Sequence, residues 1–327
     1  MKKLNIGIIG YGVGQHHANA YASSDKTLIK IYDKNKFKQK KIIKDRFLLI
    51  NSEKEFFKNQ YDIISIASHD RDHYRQIIKS TNSTKNILCE KPICNNSTQL
   101  KKIYKKIIKE KINLESNFVL RTTDLFIDIK KKIHSKYFGE VFYIEGSYLW
   151  SRIKKLSGWR LNDKEYSFIK GAAIHMIDLI CWLIEKKPIY VYAIGNNLGD
   201  KNSKKKETMV SLILEFKNKL YIKVNAFGPS IYPHYHELKV FGTKASSINE
   251  FNNNYFIKKS NVQKKIKNLK AYPDHANKKN IIKDIIKNFY KNKKFSINED
   301  VFDVMSICFA AEKSIKQKKR IKINYLK

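Results

Sequence analysis

Leu4-Asn5-Ile6-Gly7-Ile8-Ile9-Gly10-Tyr11-Gly12-Val13-Gly14 decides the fold. A short apolar run passes straight into a cluster of glycines, and Gln15-His16-His17-Ala18 continues beyond it with helical composition. A strand that turns through glycines into a helix opens a parallel α/β unit. Its bare backbone lets N–H groups approach a pyrophosphate at the positive end of the helix dipole. Counted from Gly10 the spacing is Gly-x-Gly-x-Gly, with Gln15 where the third glycine of the usual pattern would stand. The next apolar run, 27–32, ends in Asp33, 23 residues beyond Gly10. A carboxylate about 20 residues past the glycines binds the adenosine ribose of a dinucleotide. Gly10, Tyr11, Gly12, Val13, Gly14 and Asp33 are therefore the candidate cofactor residues. Asp33 favours NAD, while Lys34 and Lys36 tolerate a 2′-phosphate and keep NADP as the second candidate.

Working outward, strand signals at 4–9, 27–32, 47–50, 62–67, 86–89 and 113–119 alternate with helical ones. The helices fall at 14–23, in a lysine-rich stretch ending near Arg46, and at 52–58, 73–80 and 97–109, with Ser52 and Ser97 as N-caps. This alternation predicts a doubly wound parallel sheet, a Rossmann domain, over residues 1–120. The remainder, 121–327, changes character. A helix at 124–135 precedes longer alternating strands at 141–149, 189–194, 209–216, 220–226, 237–241 and 246–248, with hairpin turns at 216–219 and 242–245. One apolar helix, 172–184, interrupts them. The expected second domain is α+β, an open and mainly antiparallel sheet with helices on one face. The lysine-rich stretch 258–270 reads as a surface loop, followed by helices at 279–290 and 299–317 and a short final strand.

Composition narrows the function classes. Lys+Arg 66 against Asp+Glu 30 gives a net charge of +36. The lysines are scattered over nearly every helix and loop, and no finger, basic zipper or RNA-recognition signature accompanies them. A solvated basic surface accounts for the charge, so no specific nucleic-acid partner is expected. Cys89, Cys94, Cys181 and Cys308 form no CxxC pair and sit in apolar contexts, which suits buried thiols in a reducing cytoplasm. The apolar start is too short and glycine-rich for a signal peptide, and 172–184 is too short to span a bilayer. A soluble cytoplasmic protein without a membrane partner is expected.

A second motif, Cys89-Glu90-Lys91-Pro92, follows the fifth strand and puts an ammonium at the carboxyl edge where open α/β sheets bind their ligands. Together with Ile6-Gly7-Ile8-Ile9-Gly10, His17-Ala18, the stretch from Ser68 to His73, Phe138-Gly139-Glu140-Val141, Gly158-Trp159-Arg160 and the stretch from Gly171 to Asp178, it resembles the Gfo/Idh/MocA family. That family comprises nicotinamide-dependent oxidoreductases acting mainly on sugars and cyclitols. The resemblance spans essentially the whole chain and implies the two-domain fold just described.

The resemblance further implies that Ser68, His73, Glu90 and Lys91 lie at the cofactor, with Lys91 beside the nicotinamide and a substrate hydroxyl. An ammonium there stabilises a developing alkoxide and lowers the alcohol's pKa. It also implies that His175 faces the substrate, and an imidazole, ordinarily titrating at about 6.5, suits proton exchange near neutrality. The family often carries an Asp four residues before this histidine; here the position is Gly171. Asp178 shares the helix face of His175 and can orient it, contact substrate or serve as a cap. Arg121, Trp159 and Arg160 suit an anionic or glycosyl ligand, by bidentate hydrogen bonds and stacking.

Tyr232-Pro233-His234-Tyr235-His236 is a dense polar–aromatic stretch suited to a sugar pocket, through Tyr235, or to a subunit contact. His234 and His236 lack a third ligand, so no metal is expected. The expected function is interconversion of a secondary alcohol and a ketone on a sugar or nucleotide-sugar, with cell-surface polysaccharide biosynthesis as a setting. Two rivals are an enzyme using tightly bound NAD for epimerisation or elimination, and a non-catalytic NAD-binding regulator. A homodimer or homotetramer is expected.

Overall fold

The computed structural model describes residues 3–156, 159–200, 207–251, 253–258, 263–265, 276–291 and 298–326. They fall into two units, one within Met1–Asn117 and His275–Phe302, the other within Phe118–Asp274 and Asp303–Lys327.

In the first unit the strands are β1 (Leu4–Ile9), β2 (Thr27–Tyr32), β3 (Leu48–Leu49), β4 (Ile63–Ile66), β5 (Asn86–Cys89) and β6 (Asn113–Ser116). Helices α1 (Gly14–Tyr21), α2 (Lys36–Lys44), α3 (Glu53–Lys58), α4 (Asp70–Ser80) and α5 (Ser97–Glu110) alternate with them. All pair in parallel in the order β3-β2-β1-β4-β5-β6. Burial explains the strand composition: every residue of Ile63-Ile64-Ser65-Ile66 is buried, as expected of a sheet covered on both faces. The strand order reverses between β1 and β4, and the crevice at such a switch point is where these sheets bind ligands.

Details depart from the sequence reading for local reasons. Helix α4 starts at Asp70 rather than 73, with Asp70 and Asp72 in the first turn favouring its dipole. Asn96, not Ser97, caps α5, its side chain accepting from the Gln99 N–H, whereas Ser52 caps α3 as read. Strand β6 stops at Ser116, and Val119–Thr122 forms a 3-10 turn instead of more strand.

The second unit begins with α6 (Asp124–His134) and β7 (Val141–Leu149), then a one-turn helix α7 (Trp159–Asn162). A π turn, Ile169–Ala173, leads directly into α8 (Ile174–Ile184). Strands β8 (Tyr190–Asn196), β9 (Met209–Glu215), β10 (Tyr221–Phe227), β11 (Tyr235–Gly242), β12 (Ala245–Glu250), β13 (Asn253–Lys258) and β14 (Gln263–Lys265) follow. Of the stretch read as a surface loop, Lys258 ends β13 and 263–265 form β14; the rest lies outside the described residues. Then come α9 (Ala276–Tyr290), which packs on α1 within the first unit, and α10 (Glu299–Gln317) with β15 (Ile321–Lys322).

The sheet order is β14-β13-β12-β11-β7-β10-β9-β8-β15. Its pairs are antiparallel except β7 with β10. Helix α8 lies close on β7 because Gly146 has no side chain: a Cβ there would meet Met176 Cε at 2.7 Å and Ile180 Cδ1 at 3.0 Å. Strand alternation puts Tyr143, Phe241, Tyr221, Ile213, Tyr192 and Ile194 on the opposite face. Of these, Tyr192, Ile194 and Tyr221 are exposed.

Candidate active site

In the first unit the glycine turn is built for close backbone approach. Gly10 has φ +90°, and a Cβ on it would lie 2.6 Å from the Ala67 carbonyl oxygen, so only glycine fits between β1 and β4. A Cβ on Gly12 would meet nothing within 4 Å, which leaves that approach open. Gly14 starts α1, whose first turn carries no acidic side chain to compete for an anion. Asp33, at the end of β2, accepts the Tyr11 N–H on Oδ2 at 2.6 Å and the Asn35 N–H on Oδ1 at 2.8 Å. Its carboxylate thus sits at the glycine turn, where an adenosine ribose would meet it. Open glycine backbone, helix terminus and carboxylate together fit a dinucleotide. The Tyr11 side chain turns inward: its hydroxyl donates to Asp45 Oδ2 at 2.7 Å and its ring packs edge-on against Phe47. It anchors the loop from within.

The Cys89-Glu90-Lys91-Pro92 turn at the carboxyl end of β5 is braced from two sides. Glu90 Oε1 accepts from Asn117 Nδ2 at 2.7 Å and meets His17 Nε2 of α1 at 3.0 Å. His73, fully buried in α4, has Nδ1 2.7 Å from the Pro92 carbonyl oxygen and Nε2 3.2 Å from that of Ser68. Both ring nitrogens are thereby held by backbone, so His73 fastens the Lys91 turn to the segment after β4. Ser68 Oγ in turn donates to Gln76 Oε1 at 2.6 Å. Lys91 is half-buried on this braced turn. Cys89 is not a rival nucleophile: burial, and then the charge of Glu90, push its thiol well up.

In the second unit His175 lies in the first turn of α8 and is half-buried. It meets Tyr148 of β7 edge-on at 5.6 Å between ring centroids and His236 of β11 at 5.9 Å. Tyr148 stacks on His236 at 4.0 Å, and register explains why: the two are opposite one another on the α8 face. His234 Nδ1 lies 2.9 Å from the Trp150 carbonyl oxygen, and its Nε2 lies 3.5 Å from the Tyr148 hydroxyl. Burial lowers the His234 pKa to about 4 despite that carbonyl, so the ring is neutral near pH 7. Its Nδ1–H then donates to Trp150 and its Nε2 faces the Tyr148 hydroxyl as an acceptor.

The other substrate candidates are distributed differently. Arg121 and Asp178 are brought together, with each other: Arg121 Nε donates to both carboxylate oxygens at 3.1 Å, and Asp178 is buried. Their pairing ties the turn after β6 to α8. Tyr235 is on the strand face opposite His236, where its hydroxyl donates to Asn249 Oδ1 at 2.9 Å; the structure does not bring it beside His175. Arg160 Nη1 donates to the Lys155 carbonyl at 3.3 Å, and the Trp159 side chain lies outside the described residues. The sequence reading missed Tyr148. Its signal is the even spacing of Tyr148 with Gly146 and Ile144, which puts it on the helix-covered face.

Two family models match the chain. That of the oxidoreductase family with an NAD-binding Rossmann fold covers residues 4–118. That of the GFO/IDH/MocA C-terminal domain covers residues 126–248. A search of curated protein sequences finds no match. Among solved structures, myo-inositol 2-dehydrogenase from Lactobacillus plantarum superposes with a TM-score of 0.84 at 17% identity, over 99% of this chain and 100% of that one. Levoglucosan dehydrogenase in complex with NADH and L-sorbose gives 0.85 at 18% identity, over the whole of both chains. The apo scyllo-inositol dehydrogenase from Lactobacillus casei gives 0.81 at 17%, over 98% of each.

Proposed function

The chain belongs to the Gfo/Idh/MocA family of NAD-binding oxidoreductases, and from that premise we propose that it interconverts a secondary alcohol and a ketone on a sugar, cyclitol or nucleotide-sugar. The observation that carries this reading is the braced turn: Glu90 and His73 fix Lys91 at the carboxyl edge of a sheet whose glycine turn and Asp33 fit a dinucleotide. The names of the inositol and levoglucosan dehydrogenases support a polyhydroxylated substrate.

NAD, when bound, takes up or returns the hydride. Gly10, Gly12 and Gly14 would hold its pyrophosphate through the backbone, and Asp33 would accept from its ribose. Lys91 polarises the reacting oxygen, His175 exchanges the proton, and Tyr148 and His236 line the imidazole. The exposed apolar residues Tyr192, Ile194 and Tyr221 support a homodimer or homotetramer through that sheet face.

Calorimetric titration with NAD and NADP tests the cofactor assignment. Asp33 repels a 2′-phosphate, so NAD should bind more tightly, by roughly tenfold or more, and Asp33→Ala should erase the difference. Tighter binding of NADP by the wild type would overturn the assignment.

A further inference from the structure

Lys34 and Asp72 join two segments that lie on either side of the glycine turn. Strands β2 and β4 both pair with β1, and their register puts Tyr32 and Ile66 to the two sides of Ile9, the last residue before Gly10. Neighbouring strands lie about 4.8 Å apart, so the ends of β2 and β4 are about 10 Å apart with the glycine turn between them. Lys34 is the second residue past β2, and Asp72 lies in the first turn of α4, which follows β4. Lys34 Nζ donates to Asp72 Oδ2 at 3.2 Å. The ion pair thus reaches from one lip of the crevice to the other. Its partners are unequal: the Asp72 side chain is 21% exposed and sits where the helix dipole favours a carboxylate, whereas the long Lys34 side chain is 56% exposed. The other cation near Asp72, Arg75 at 3.7 Å, is taken by Glu53 of α3, whose Oε1 accepts from Arg75 Nη2 at 2.8 Å. Lys34 is therefore the closer counter-charge of Asp72.

We propose that Asp72 is a specificity-determining residue of the cofactor site: by pairing with Lys34 across the glycine turn, it withholds that ammonium from the 2′-phosphate of NADP. This rests on the reading of the glycine turn and Asp33 as a dinucleotide site. Asp33 is fixed by the N–H groups of Tyr11 and Asn35, and Lys34 is the adjoining residue, the cation best placed in the chain to offset a phosphate brought to that carboxylate. Bound to Asp72, its charge is already neutralised. A 2′-phosphate must break the pair and then sit near two carboxylates, Asp33 and Asp72, whereas NAD carries only a hydroxyl there and leaves the pair intact. An exposed ion pair contributes little to stability, so the effect of Asp72 falls on the choice of ligand rather than on the fold.

Calorimetric titration of the full chain with NAD and with NADP tests this, for wild type, Asp72→Ala and the double variant Lys34→Ala, Asp72→Ala. Asp72→Ala should bind NADP roughly threefold to tenfold more tightly than wild type does, with NAD affinity unchanged within about twofold. The double variant should lose that gain, which separates Lys34 from Lys36, exposed at the start of α2. The gain should recur with adenosine 2′,5′-bisphosphate but not with AMP, and it should shrink as salt rises. Unchanged NADP affinity in Asp72→Ala, or a gain that survives in the double variant, overturns the proposal and leaves the dinucleotide reading intact. Equal tightening of NAD and NADP makes Asp72 a merely structural residue and overturns it too. Should wild type bind neither cofactor, the dinucleotide reading falls and the proposal falls with it.

Discussion

His234 is one source of pH-dependent stability in the second unit. Its ring titrates near 6.5 when unfolded, while burial lowers the folded value to about 4. Between these values the unfolded chain binds the proton and the folded chain does not, so stability is whole above about 6.5 and is lost as pH falls toward 4. The loss should be of the order of 1 kcal/mol, less than the full shift because the ring keeps some contact with solvent. Urea denaturation at a series of pH values checks it. His234→Asn should flatten the acid limb, and an identical pH dependence in that variant would remove His234 as its cause. The same unit shows how a residue's role follows from its partner. Asp178 is spoken for by Arg121, and Tyr235 by Asn249, before any substrate arrives.

At the scale of elements, the seat of α8 on β7 positions the His175 cluster, and Gly146 makes it possible. Gly146→Val drives two methyl groups into Met176 and Ile180 and should cost about 1–3 kcal/mol of stability by overpacking. Thermal unfolding checks this, and an unchanged Tm would show that the helix is not held there. Much of this architecture was legible in the sequence. Glycine turn chemistry, buried apolar strands and the Glu90-Lys91-Pro92 turn are local features that a linear reading sees, and the six-stranded parallel sheet followed from them. What escaped it depends on long-range partners. The Tyr148–His236 stack is set by the β7–β11 register, and the Arg121–Asp178 pair joins segments distant in the chain. Tyr166 is invisible as a neighbour of Gly171 until the π turn folds. Strand β13 was missed although Tyr255-Phe256-Ile257 is a strand signal, and β14, Gln263-Lys264-Lys265, carries none of its own and is a strand by pairing with β13.

At the scale of the whole molecule, a net charge of +36 makes copies of the chain repel one another, so any assembly must come from apolar surface. Tyr192 and Tyr221 lie on the outer face of the nine-stranded sheet, each 43% exposed. Light scattering at micromolar concentration should give a dimer or larger, and Tyr192→Glu with Tyr221→Glu should shift it to monomer without loss of NAD binding. A wild-type monomer would contradict assembly through this face. The role proposed for Lys91 is to act on the reacting oxygen rather than on the cofactor's pyrophosphate. The most direct measurement pairs NAD titration with NADH formation across a panel of sugars and cyclitols, for wild type and Lys91→Ala. For Lys91→Ala, NAD affinity should stay within about threefold of wild type and turnover should fall by roughly 10²–10⁴, the worth of a positioned acid–base group. Turnover by Lys91→Ala at the wild-type rate would contradict it.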